Sequence, residues 1–164
     1  MQKQYRFKTI STMLIILLFT LVGASAVVIP KAEDIQQQID EAKSEHLVTR
    51  VIDGDTVIVD ELYTIRLIGI DAPERGKEGY QEAKDYLAEK INNRFVWLEL
   101  DTSQTDKYDR VLGYIYLEDL MINEQIVAAG LAKATPIAPD TRYASEIKAA
   151  QDQAKQAQLG LWSN

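Results

Sequence analysis

Between Arg50 and Arg75 the chain reads RVIDGDTVIVDELYTIRLIGIDAPER. Asp53, Asp55, Arg66, Asp71 and Glu74 stand in it among Val51, Ile52, Val57, Ile58, Val59, Ile65, Leu67, Ile68 and Ile70, residues suited to a buried sheet. Asp53 and Asp55 flank Gly54, and residues two apart share one face of an extended chain. If the strands on either side of Asp60–Leu62 pair, their far ends meet, and Asp53, Asp55 and Asp71 become neighbours. Carboxylates that close repel one another, so something positive must sit among them. The chain has no cysteine and one histidine, His46, which leaves oxygen ligands and a hard cation, Ca²⁺ or Mg²⁺. Arg66 and Arg110 add two guanidinium forks. A cation and two forks suit a phosphate ester, because they neutralise charge that builds on pentacovalent phosphorus. A carboxylate free of the metal can orient or deprotonate a water. A plainer reading stands beside this one. Charges at strand ends are usually solvated, and Asp-Gly-Asp is a common hairpin tip. Lys107 and Tyr108, taken alone, read as an ordinary polar loop.

These residues need a sheet to position them. Residues 47–60 form a strand pair region turning at Asp53-Gly54-Asp55, and Tyr63–Ile70 returns after a tight reversal. Apolar residues occur at both parities, Val51 and Val57 on one, Ile52 and Ile58 on the other. Such a sheet is buried on both faces or closes into a barrel. Gly76–Asn93 carries Ala83, Tyr86, Leu87 and Ile91 at helical spacing. Arg94–Asp101 and the RVLGYIYL run from Arg110 are strands; Asn123 is the expected N-cap of a helix ending at Gly130. Thr141–Leu159 is a last helix, after which Leu161 and Trp162 dock on the body. The expected class is mainly β with helices (α+β), a five-stranded OB-type Greek-key barrel with three helices.

The N-terminus stands apart. Lys3, Arg6 and Lys8 precede an apolar run over residues 10–29, and Ala24-Ser25-Ala26 fits a secretory cleavage site. Residues 1–26 are expected to be a signal peptide or an uncut membrane anchor through residues 10–29. Either places the rest outside the cytoplasm. Residues 27–46 read as a linker, with His46 exposed ahead of the first strand, and 47–164 as the domain. Residues 27–164 hold 15 basic and 25 acidic side chains, net −10. A nucleic-acid protein usually shows the opposite sign, so contact with a polyanion must rest on a local positive patch.

VIDGDTVIV, IRLIGIDAPE, TDKYDRVLGYIYL, MINEQIVAAGLAK and the terminal GLW resemble, in order and spacing, the thermonuclease family of staphylococcal-nuclease-like domains. The resemblance spans about Val48 to Trp162. It implies Ca²⁺-dependent hydrolysis of DNA and RNA by in-line attack of water, giving 3′-phosphate ends; the chain is expected to be a monomer. It implies Asp55 and Asp71 as direct calcium ligands, the Thr56 backbone carbonyl as a third contact, and Asp53 acting through water. Arg66 and Arg110 become phosphate clamps and Glu74 the group that positions or activates water. Lys107 and Tyr108 would hold a neighbouring phosphate. The chain departs from the best-known member in three places: Asp109 replaces a glycine, Pro136 and Ala138 replace two base-stacking tyrosines, and the segment after DAPE is shorter and less basic. Two other functions compete with a nuclease. One is a non-catalytic OB-fold module binding nucleic acid or protein at the cell envelope; the other is a phosphodiesterase for a smaller ester.

Overall fold

The structure, a computed structural model, describes residues 45–163. The expected signal or anchor and the linker up to residue 44 lie outside the described residues. The elements run β1 (Glu45–Val51), β2 (Thr56–Val59), β3 (Tyr63–Leu67), β4 (Ile70–Asp71), α1 (Tyr80–Ile91), β5 (Phe95–Glu99), β6 (Val111–Leu117), β7 (Leu120–Met121), α2 (Ile122–Ala128), β8 (Lys133–Ala134) and α3 (Ala144–Gln156). A 3-10 turn, Gly160–Trp162, follows.

Five strands close a barrel. The order β3-β2-β1-β5-β6 is antiparallel throughout, and a parallel β3–β6 pairing seals it. This is the expected five-stranded OB-type barrel with three helices. Val57, Val59, Ile65 and Leu67 are fully buried in the core, while Ile58 on the other face is half-covered. Helix α1 buries Ala83, Leu87 and Ile91, spaced four apart, on one stripe. No helix among the described residues is long and apolar enough to cross a membrane.

Gly54 is fixed by crowding. A Cβ there would lie 2.6 Å from the Ala72 Cβ and 2.7 Å from the Ala83 Cβ. The β1–β2 connection can therefore lie tight against both the segment after β4 and helix α1. At the other end of the chain, Gly130 ends α2 with φ +75° and meets Gly160 backbone to backbone. The Leu161 N–H donates to the Gly130 carbonyl at 2.8 Å, which docks the terminal GLW as expected.

Two local expectations are corrected. Strand β1 starts at Glu45, so His46 lies inside it opposite Val96, with Nδ1 2.6 Å from Asp60 Oδ2. Asn123 is not an N-cap, because α2 starts directly after β7 with Met121 at the cap position. Asn123 is instead fully buried. Its Oδ1 accepts the Ile115 N–H at 3.0 Å, and its Nδ2 donates to the Ile68 and Gly113 carbonyls at 2.9 and 3.2 Å. A buried amide so satisfied pins α2 to the barrel.

Candidate active site

The β2–β3 hairpin brings the far strand ends together. Thr56 pairs with Arg66, and the Ala72 N–H donates to Asp55 Oδ2 at 2.9 Å. Arg66 Nη1 donates to the Leu67 carbonyl at 2.8 Å, which orients the guanidinium along its own strand. Its Nη2 then lies 3.1 Å from Asp55 Oδ2 and 3.5 Å from Asp71 Oδ1. Asp55 and Asp71 thus share one guanidinium nitrogen, although 16 positions separate them in the chain.

The two carboxylates differ in setting. The Asp71 side chain is 55% exposed, that of Asp55 only 11%. Burial pushes the Asp55 carboxyl up, to about 6, against the Arg66 charge and the Ala72 N–H. The neighbouring Asp53 charge adds to the rise, and the Thr56 hydroxyl, 3.0 Å away, opposes it. Arg66 alone therefore does not compensate the buried charge. A hard cation with oxygen ligands fits this donor set, since it would supply the compensation still lacking.

Asp53 sits in the turn, where its Oδ1 accepts the Asp55 N–H at 3.2 Å. Thr56 does not fit the role of backbone ligand. Its carbonyl already accepts from the N–H groups of Ile52 (2.9 Å) and Asp53 (3.3 Å), which close the turn. Both lone pairs are engaged. The Ala72 main chain follows Asp71 directly and donates its N–H to Asp55. Among the described residues no three Asp, Glu, His or Cys side chains converge on one point. Asp55 and Asp71 share the Arg66 guanidinium, and the charge of Asp53 acts on Asp55 from the turn beside it. Glu74 lies three residues past Asp71 in an exposed turn, its carbonyl accepting the Lys77 N–H at 2.9 Å.

The second fork comes from the Asp106–Arg110 loop, closed by a Thr105–Val111 bridge. The β3–β6 register pairs Val111, the residue after Arg110, with Ile65, the residue before Arg66. Arg110 is turned to Asp106: Nε and Nη2 lie 2.8 and 2.7 Å from Oδ2. Asp106 Oδ1 also accepts the N–H groups of Tyr108 (2.9 Å) and Arg110 (3.1 Å). Burial pushes the Asp106 carboxyl up, but these bonds and the Arg110 charge hold it below the usual range. Tyr108 is 67% exposed, with Lys107 Nζ 4.9 Å and Arg110 Cζ 5.6 Å from its ring centre. Sequence reasoning missed Asp106. Its signal was the Asp-x-x-x-Arg spacing in a short loop, which allows one carboxylate to cap the turn and hold the arginine.

Residues 64–164 match the family model described as staphylococcal nuclease homologue. The chain belongs to this thermonuclease-like family. It is a nuclease-family hydrolase of phosphodiester bonds. It is 39% identical to the thermonuclease of Staphylococcus hyicus over 126 residues, which span 71% of this chain and 75% of that protein. The thermonuclease of Staphylococcus intermedius is 38% identical over the same shares. A Bacillus subtilis protein named endonuclease YncB is 30% identical over 70% of this chain and 59% of its own length.

Proposed function

We propose that this member of the family is an exported, Ca²⁺-dependent nuclease that hydrolyses DNA and RNA to 3′-phosphate ends. The observation that carries the reading is Arg66 Nη2 set between a buried Asp55 and an exposed Asp71. Asp55 and Asp71, with main-chain oxygen from the Ala72 segment and water, would hold the cation; Asp53 acts from the turn behind Asp55. A bound Ca²⁺ would supply positive charge to offset the charge that builds on the phosphate. Arg66 offers its guanidinium to a non-bridging oxygen, and Arg110 does so with the face not held by Asp106. Glu74, exposed in its turn, orients a water and accepts its proton as the water oxygen bonds to phosphorus. The bond to the 5′ oxygen breaks, and that oxygen takes a proton from solvent water and leaves as a hydroxyl, while Glu74 returns its proton to solvent. Lys107 and Tyr108 hold a neighbouring phosphate. An external water makes the 2′-hydroxyl dispensable, so DNA and RNA are equivalent at the chemical step. Export rests on the basic start and apolar run before residue 30.

The test is cleavage of single-stranded DNA and of RNA by the purified chain. Cleavage should require Ca²⁺, stop with a chelator, and fall at least about 100-fold in Glu74→Gln. Saturable DNA binding without turnover across Ca²⁺ and pH would defeat the reading and favour a binding module. The mass of the mature protein tests export: loss of residues 1–26 marks a cleaved signal.

A further inference from the structure

A phosphodiester being cut within a polymer has chain on both sides. The Lys107–Arg110 loop leads into β6, which flanks β3 on one side of the site. On the β4–β8 side the surface falls away into a cleft of about 720 Å³, within the range of small-ligand sites. Its rim begins at Asp71 and Glu74, residues assigned above to the cation and the water. Lys77 and Lys133 line it, and Leu131 and Leu161 supply apolar wall.

The short turn from Pro73 to Gly79 bounds this cleft, and the Gly79 Cα side lies against Leu161: a Cβ there would be 2.9 Å from its Cδ2. Lys133 is the cross-strand partner of Asp71, so their side chains leave the β4–β8 ladder on one face. Lys133 and Lys77 have no carboxylate partner among the described residues, whereas Arg66, Arg110, Arg142 and Lys148 are all paired. Two uncommitted ammonium groups beside the reaction centre suit a phosphate oxygen. Glu78 and Glu82, at the helix end of the cleft, add negative charge there, which leaves Lys133 and Lys77 as the cationic groups of its lining.

We propose that this cleft is the subsite for the nucleotide across the scissile phosphate from the Lys107–Arg110 loop, with Lys133 and Lys77 holding that nucleotide's own phosphate. The proposal rests on the nuclease reading. A series of oligonucleotides with one cleavable linkage, extended one nucleotide at a time at the 5′ or the 3′ end, separates the two sides. Extension at one end should raise kcat/KM about tenfold, the scale of one charge-assisted contact. Lys133→Ala and Lys77→Ala should cut that gain to about threefold or less, and Lys133→Glu should abolish it. Lys107→Ala should instead cut the gain from the opposite end. Both lysines are exposed, so these variants fold. If the gains at both ends survive the three substitutions at Lys133 and Lys77, the cleft is not a subsite and the nuclease reading stands. If the wild-type chain with Ca²⁺ cuts none of the series, both fall.

Discussion

Among the described residues, two clusters join a pair of carboxylates to one arginine, and they are built to opposite ends. At the far side of β5, Glu99 Oε1 receives the Arg142 guanidinium, and both Glu99 oxygens receive the Tyr143 hydroxyl at 3.1 Å. Asp101 Oδ2 accepts the Tyr114 hydroxyl and the Arg142 N–H, both at 3.0 Å. Burial pushes the Asp101 carboxyl up, yet the Arg142 N–H, the Tyr114 hydroxyl and the Arg142 charge outweigh it and hold it low. Tyr143 also packs edge-on to Tyr114, with ring centres 4.7 Å apart. Every strong acceptor there has a partner, and the cluster fastens the start of α3 to the barrel. At Asp55 the balance runs the other way: one guanidinium nitrogen serves two carboxylates, and burial wins. A satisfied cluster holds structure together. An under-compensated one stores a preference for a ligand that brings positive charge.

The sharpest break of that comparison is kinetic. Arg66→Ala and Glu74→Gln should each lower kcat by about 100-fold or more. Asp101→Ala should leave activity per folded molecule within a few-fold while costing about 1–3 kcal/mol of stability. Steady-state kinetics and urea unfolding on the same preparations read both. Asp101→Ala costing activity and no stability would erase the distinction.

Next in size is a reversal of sign with pH, measured in chelator. Asp55 has its folded value raised from 3.8 to about 6, so its favourable contribution is complete below about 4 and is lost as pH rises through 6. Asp101 is held low, so its contribution is present above the ordinary carboxylate value and is lost as pH falls. Asp55→Asn should therefore be more stable than the wild type at pH 7–8, by about 1–2 kcal/mol, while inactive. Ca²⁺ should raise the Tm of the wild type by mass action and leave Asp55→Asn nearly unmoved. Equal pH–stability curves for the two proteins would refute the account of Asp55.

Smaller effects belong to the Asp106–Arg110 loop. Asp106→Asn keeps an oxygen for the two N–H groups but removes the charge that holds Arg110. It should lower kcat/KM about tenfold, and the double variant with Arg110→Ala should be no worse than Arg110→Ala alone. Asp109 sits at φ +60°, where glycine is unstrained. Asp109→Gly should gain about 0.5–1 kcal/mol of stability and, with one acid fewer beside Arg110, bind single-stranded DNA a few-fold more tightly. Urea unfolding and a titration at fixed salt check it.

Much of the fold was legible because it is written in local patterns. The β-branched run around Val57 announced a buried strand, and Ala83, Leu87 and Ile91 announced α1. Asn123 misled because Asn is a good cap in isolation, whereas here α2 grows straight out of β7. Thr56 misled for a related reason: it adjoins Asp55 in the chain, but its carbonyl is spent closing the turn. The meeting of Asp55 with Asp71 was legible from the reversal at Asp60–Leu62. The partner of Arg110 was not, since nothing in KYDR says which way its fork turns.

The sequence by itself determined the alphabet of this site: oxygen ligands only, two forks, one acid beyond a proline, and a barrel to carry them. Tertiary structure decided which charge is left wanting. Compensation acts through space, and Asp55 draws its partners from residues 11 and 17 positions away, Asp101 from residues 13 and 41 positions away. Only the folded barrel could leave the first short of positive charge and the second fully supplied.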